Sequence, residues 1–453
     1  MTDVIAIFDI GKTNKKLFLF DINLKPVLQI EQNFPEITDE SGFPCDDIEK
    51  IRMWMFEILQ SIINKKEFNI IVVNFSTYGA SLAFLDAEGN MLTPVYNYLK
   101  PMPVGIAETI YQKYGGMEEF CRRTASPALG FLNSGLQPLW LKKTRPEIFK
   151  KVEIILHFPQ YWSFLLTGKI TTEYTSIGCH TAMWDFDTMD YHPWIKEESI
   201  HLPIPVTNNH TYRSQNSEFP FNVGIGIHDS SASLAPYIIQ SKEKFILIST
   251  GTWCINMNPF NHDPLTHEQL ENDCLSYLSI SQKPVKSSRL FMGRIHDANL
   301  ERINLHFNVD KNYYKRIKLD ENLITKLSKT EICFFRNGIN DEYIDREIEL
   351  VQFESFEEAY HRLIMDLTKL NIKSINFILP VDNDIENIYV SGGFSKNEIF
   401  IRCLAAAFKN KKVFTSDFNN SSALGAALVI YRDFGSGDHP LVDLGLKEYK
   451  VKN

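Results

Sequence analysis

The sequence predicts an α/β protein folded in two halves that face a shared cleft. Three observations carry this. Residues 388–397 read Ile-Tyr-Val-Ser-Gly-Gly-Phe-Ser-Lys-Asn, an apolar strand that runs into a Gly pair and then a helix. A Gly pair at the end of a buried strand lets another group approach the backbone closely. Two more strand-then-Gly units lie upstream, Ile7-Phe-Asp-Ile-Gly-Lys-Thr-Asn14 and Ile248-Ser-Thr-Gly-Thr-Trp253. Three turns able to hold phosphates or a nucleotide, spread over two halves of one chain, point to a cleft enzyme that uses ATP.

Taken in order, Val4–Phe8 and Leu17–Phe20 are apolar runs around Gly-Lys-Thr-Asn and predict a hairpin. Ile48, Ile51, Met55, Ile58, Leu59 and Ile62 recur at helical spacing over 46–64. Ile70–Phe75 reads as a buried strand ending at Ser76-Thr-Tyr-Gly79, and 82–89 as the start of another hairpin with an Asp86-Ala-Glu-Gly89 turn. Residues 105–185 read as mainly helical, with breaks at Pro127, Pro138 and Pro159. The stretch 191–222 reads as irregular. A new apolar strand begins at Phe245 after the charged link Ser241-Lys-Glu-Lys244, which sets the domain division at 1–240 and 241–453. Residues 260–290 read as loop, 353–370 and 400–408 as helices, and 422–431 as a small-residue helix suited to close packing. The strand, Gly-Thr turn, strand pattern of 5–20 recurs at 245–257, a weak internal duplication.

The chain's 453 residues suffice for two or three domains with full cores. Apolar residues are 44% and charged residues 23%, an ordinary globular balance. With 47 basic and 56 acidic residues the net charge is −9, which argues against nucleic acid and anionic membranes as partners. No signal-peptide pattern opens the chain, and no apolar stretch nears the roughly 20 residues that span a bilayer. Seven scattered cysteines without a C-x-x-C pair fit neither a disulfide framework nor a zinc site, so a reduced cytoplasm is the expected location.

Gly11-Lys12-Thr13 resembles the end of a P-loop, but the first Gly of that motif would fall on Ala6, and a P-loop leads into a helix rather than a strand. A hairpin turn can still grip phosphate oxygens through its N–H groups with Thr13 and Asn14. Asp9, just before the turn, is then placed to hold Mg²⁺ through water; the alternative is a turn-capping carboxylate. Ser249-Thr-Gly-Thr252 is a second phosphate turn or simply a turn. In Gly226-Ile-His-Asp-Ser-Ser-Ala232, Asp229 is either the N-cap of a helix or the general base that accepts a sugar hydroxyl proton, with His228 and Ser230 beside it.

These stretches together resemble the FGGY carbohydrate kinases of the actin-like, hexokinase-like ATPase superfamily. The carriers are Asp9-Ile-Gly-Lys-Thr13, Thr77-Tyr-Gly79 through Asp86-Ala-Glu-Gly89, His228-Asp-Ser-Ser-Ala232, Ser249-Thr-Gly-Thr-Trp253 and Ser391-Gly-Gly-Phe-Ser-Lys-Asn397, in the family order. His228-Asp229 is most similar to rhamnulokinases and fuculokinases. The resemblance implies two ribonuclease-H-like domains around a central catalytic cleft and transfer of the γ-phosphate of Mg-ATP to a ketose. It implies Asp229 as catalytic base and Asp9 at the metal. Gly11, Lys12, Thr13, Asn14, Lys15, Gly251, Thr252, Gly392, Gly393 and Asn397 would lie at ATP, and Tyr78, Gly79, His228 and Ser230 at the sugar. A 6-deoxy ketose such as L-rhamnulose or L-fuculose is expected first; alternatives are a pentulose, glycerol, or a non-catalytic sugar-sensing ATPase. A homodimer is possible within the family pattern. The chain departs from the family where Tyr-Arg-Asp is replaced by Tyr96-Asn-Tyr-Leu-Lys100, in the basic first turn (Lys12, Lys15, Lys16), and over 260–345, which matches no family segment.

Overall fold

The computed structural model describes residues 1–450 except 381, 417, 419 and 435–438. Two seven-stranded mixed sheets organise the chain. In the first, Thr2–Ile10 lies centrally, antiparallel to Lys15–Phe20 and parallel to Phe68–Thr77. Pro26–Gln32 closes one edge, and Asn222–Gly224, Thr211–Arg213 and Ile227–His228 extend the other side. Both faces of Thr2–Ile10 are covered, which is why its apolar run does not alternate with polar residues.

The second sheet repeats the arrangement. Phe245–Thr250 is antiparallel to Cys254–Asn258 and parallel to Asn387–Gly392. The duplicated pattern in the sequence is therefore a duplicated strand order. Residues 274–290 correct the loop reading: Cys274–Leu278 and Pro284–Leu290 form a hairpin on the sheet edge. Its serines hid it, because Ser276, Ser287 and Ser288 are polar yet buried.

Two helices lie between the sheets, Asp229–Gln240 and Ser421–Val429. A Cβ on Gly425 would stand 1.8 Å from the Ala232 carbonyl oxygen, so the crossing requires glycine at that point. The Asn74 side-chain amide donates to the Ala426 carbonyl at 2.8 Å, tying the late helix to the first sheet.

The 105–185 segment is interrupted by a strand, Ile154–His157, which pairs with Leu82–Leu85. On its other side Leu82–Leu85 keeps a short form of the expected hairpin: the Asp86–Gly89 turn, a Leu85–Met91 bridge and a Leu92 N–H bond to the Phe84 carbonyl at 2.9 Å. Pro138 and Pro159 start helices instead of breaking them; both sit in the first turn, of Leu136–Thr144 and Phe158–Thr167, where no N–H is needed. The helix expected at 353–370 spans Phe356–Ile378. Among the described residues all seven cysteines are free, and no helix is long and apolar enough to cross a membrane.

Candidate active site

The register of the first sheet brings the acidic candidates together. Asp9 is opposite Ser76, and the next pair on that strand, Thr77, is opposite His228. Two ladder steps separate Asp9 from His228, about 10 Å at ordinary strand spacing. Asp229 follows as the first residue of its helix. Asp9 accepts a hydrogen bond from Ser422 Oγ at 2.9 Å. Burial pushes its carboxyl up to about 6; the Ser422 bond opposes this and the negative charge of Asp229 adds to it. Asp9 is thus a carboxylate that its protein neighbours leave short of positive charge. It meets no turn N–H, so the capping alternative does not describe it.

Asp229 is not an N-cap either. The cap position falls on His228, and no side chain bonds the free N–H groups there. Instead Asp229 Oδ1 lies 3.3 Å from His228 Nε2 and accepts from Ser230 Oγ at 3.2 Å, with its side chain 35% exposed. His228 is buried, with Nε2 also 3.4 Å from Cys179 Sγ. Burial pulls its imidazole down, the charge of Asp229 opposing, so it is held neutral. Its ring edge lies where a Cβ of Gly79 would be, 2.8 Å from Cδ2. A neutral ring, a half-exposed carboxylate and a hydroxyl therefore share one corner of the cleft.

Tyr78, expected at the sugar, is buried. Its hydroxyl donates to Asp46 Oδ2 at 2.5 Å, and its ring packs on Phe158. Lys12 and Lys15 also turn to Asp46. Lys15 Nζ is 2.8 Å from Asp46 Oδ1 and 3.0 Å from the Lys12 carbonyl oxygen, and Lys15 is fully buried. Lys12 Nζ reaches Glu36 at 2.7 Å and Asp46 at 3.3 Å. The expectation that Lys15 binds phosphate is corrected: a buried ammonium bonded to a buried carboxylate is not free for a nucleotide, whereas Lys12 stays part-exposed beside the exposed Glu36. The turn itself is intact. Gly11 N–H donates to the Asn14 carbonyl at 3.0 Å, Thr13 is exposed and Asn14 half-buried.

In the second half, Gly251, Thr252, Gly393 and Asn397 line one cavity of about 580 Å³. Thr250 joins its two turns: Oγ1 donates to the Ser391 carbonyl at 2.5 Å and accepts from Phe394 N–H at 3.0 Å. Gly392 has φ +82° and packs on the Thr250 carbonyl, whereas a Cβ on Gly393 would meet nothing within 4 Å. Gly393 thus faces open space. Asn397 caps helix Glu398–Ala407, accepting from Phe400 N–H at 3.1 Å, and its amide donates to Tyr360 at 3.0 Å. The opposite wall, Gly293, Arg294, His296, Tyr314 and Lys315, comes from the region in which sequence reasoning found no match. The signal available there was Gly293: its N–H donates to the Thr252 carbonyl at 3.1 Å, and a Cβ would strike the 251–252 turn. Aromatic rings at Tyr314, Tyr360 and Phe394 and cations at Arg294, Lys315 and Lys396 suit a base and a polyphosphate.

Residues 4–225 match the N-terminal domain model of the FGGY family of carbohydrate kinases. Residues 242–322 match a carbohydrate kinase FGGY C-terminal domain model, which corrects the reading of 260–345 as matching no family segment for all but its last part, and 359–432 match an FGGY family C-terminal one. The chain belongs to the FGGY family of carbohydrate kinases. This places it among the sugar-kinase phosphotransferases. A rhamnulokinase of Halalkalibacterium halodurans is 26% identical over 266 residues, 54% of this chain and 54% of that relative's own length. A rhamnulokinase of Oceanobacillus iheyensis is 21% identical over 87% of this chain and 85% of its own. Among solved structures, a carbohydrate kinase from Novosphingobium aromaticivorans superposes with TM-score 0.78 at 22% identity, covering 99% of this chain and 94% of that one. A ligand-bound xylulose kinase from Lactobacillus acidophilus gives 0.76 at 17%, covering 99% and 93%. A Plasmodium falciparum glycerol kinase with ADP gives 0.74 at 15%, covering 96% and 90%. The shared fold is that of the FGGY kinases, two α/β domains of the actin-like ATPase type.

Proposed function

We propose that this FGGY kinase transfers the γ-phosphate of ATP to a hydroxyl of a ketose, with a 6-deoxy ketose, L-rhamnulose or L-fuculose, as acceptor. The observation that carries the transfer is Asp229: a half-exposed carboxylate that caps no helix and is held by a neutral histidine 3.3 Å away. In this reading Asp229 takes the acceptor's proton as the oxygen attacks, and His228 and Ser230 keep the carboxylate oriented. The domain to Gln240 supplies the acceptor side and the first phosphate turn. The domain from Ser241 supplies the second turn and the adenosine wall.

Asp9 would hold Mg²⁺ largely through water, since burial, only weakly offset by Lys16, leaves its carboxylate short of positive charge and Mg²⁺ keeps much of its hydration shell. When bound, the ion would neutralise charge on the transferred phosphoryl group. The rhamnulokinase names of the relatives support the deoxy ketose; the xylulose and glycerol kinase neighbours support a pentulose or polyol.

The test is ADP release by purified protein on L-rhamnulose, L-fuculose, D-xylulose, D-ribulose and glycerol. A deoxy ketose should lead in kcat/KM. Glycerol or a pentulose leading by tenfold or more overturns the acceptor assignment, and no ADP release on any of them overturns the kinase assignment.

A further inference from the structure

We infer that an apolar chamber at the mouth of the cleft receives the end of the acceptor remote from the reacting hydroxyl, and that Leu99 and Trp253 select an uncharged ketose ending in a methyl over one ending in a hydroxymethyl group. The inference rests on the ketose kinase reading above.

The chamber holds about 660 Å³ and is built from both halves of the chain. Leu99, Met102, Val104 and Leu129 come from the first half, and Trp253 and Arg289 from the second. Leu99 is 66% exposed, Val104 97%, Leu129 46% and Trp253 40%. Single exposed apolar side chains are ordinary, but four around one cavity form a patch of the kind that marks a ligand site.

Its inner end adjoins the chemistry. Trp253 directly follows the Gly251-Thr252 turn. Its ring stacks on Phe291 at 4.3 Å, with the Arg289 guanidinium 5.2 Å from its centre, so it forms a fixed platform. Tyr98, also on the wall, has its ring edge-on to Tyr78 at 6.1 Å.

The cations on the chamber wall are already engaged by other groups. Lys100 is turned inward, its Nζ 2.5 Å from Asp39 and 2.8 Å from Ser41 Oγ. Arg289 is paired with Asp273 at 3.0 Å. Neither cation is free to meet a sugar acid. A terminal hydroxyl seated against Leu99 and Trp253 gives up water without gaining a partner, whereas a methyl gains apolar contact.

The test compares two pairs of sugars that differ by one oxygen at C6: L-rhamnulose with L-fructose, and L-fuculose with L-tagatose. Wild-type kcat/KM should favour the deoxy member of at least one pair by about tenfold or more. Leu99→Asn should bring that ratio close to one while the ATP KM stays unchanged, and Trp253→Ala should bring the same ratio close to one. Leu99 is largely exposed, so its replacement leaves Tm near wild type, a control for folding. A wild-type preference for the hydroxylated sugar, or a deoxy preference that both variants keep, overturns the chamber's role. Wild-type turnover of D-xylulose or glycerol with none on any of the four hexuloses overturns the acceptor reading itself, and the chamber's role with it.

Discussion

Ser422 donates its hydroxyl hydrogen to Asp9 across 413 residues of sequence, at 2.9 Å. The bond comes from the helix that also crosses Ala232, so the carboxylate of the first strand is finished by the last long helix.

Asp9 gives a prediction with a sign. Its folded pKa, about 6, stands above the ordinary carboxylate value of 3.8. The folded state therefore binds this proton more tightly than the unfolded chain. Asp9 is harmless to stability below about pH 4 and increasingly destabilising as pH rises through 6. Asp9→Asn should stabilise the protein at pH 8 by about 2 kcal/mol, allowing for its half-buried edge, and by little at pH 4. Mg²⁺-dependent turnover should fall in the same variant. Melting temperatures at the two pH values check this; an equal shift at both would remove the carboxylate from the account.

Asp229→Asn should lower kcat by about 10²–10⁴-fold and leave ATP binding and Tm near wild type, because a base is needed only for transfer. Single-turnover rates beside nucleotide titrations make the comparison. Near wild-type kcat would leave Asp229 without a catalytic part.

At Gly393 the expectation is steric. A Cβ there enters open space on the 580 Å³ cavity, the proposed nucleotide site, without touching protein. Gly393→Val should fold normally and raise the ATP KM several-fold, with the sugar KM little changed. An unchanged ATP KM would move the adenosine wall elsewhere.

Lys15→Met separates structure from nucleotide binding. The fully buried ammonium is bonded to Asp46, so its loss leaves a buried carboxylate with only Lys12 and Tyr78. Breaking such a pair costs about 3–5 kcal/mol, and the remaining partners place this case at the lower end. Chemical denaturation should show that loss, and the ATP KM of the folded fraction should stay within twofold. A large KM change with unaltered stability would restore Lys15 to the phosphates.

Much of the site was legible in the sequence because it sits on backbone turns. Gly-Lys-Thr, Thr-Gly-Thr and Ser-Gly-Gly each follow a buried strand, and both the apolar run and the glycine leave a signal in order along the chain. What the sequence hid was direction. Lys12 and Lys15 read as phosphate ligands, yet their side chains turn to Asp46, more than 30 residues away, whose pairing depends on the tertiary fold. The cavity wall from 293–315 was missed for a related reason: its one signal, Gly293, meets a turn 41 residues upstream, a contact that only the tertiary fold makes. The 274–290 hairpin escaped because a buried edge rich in serine lacks apolar alternation.

The crossing of Gly425 over Ala232 carries a consequence for the order in which the protein is made. A nascent chain displays Asp9 and Asp229 before residues 421–429, the segment that seats between the two sheets, have been made. Until that helix arrives, Asp9 lacks the Ser422 hydroxyl that bonds it.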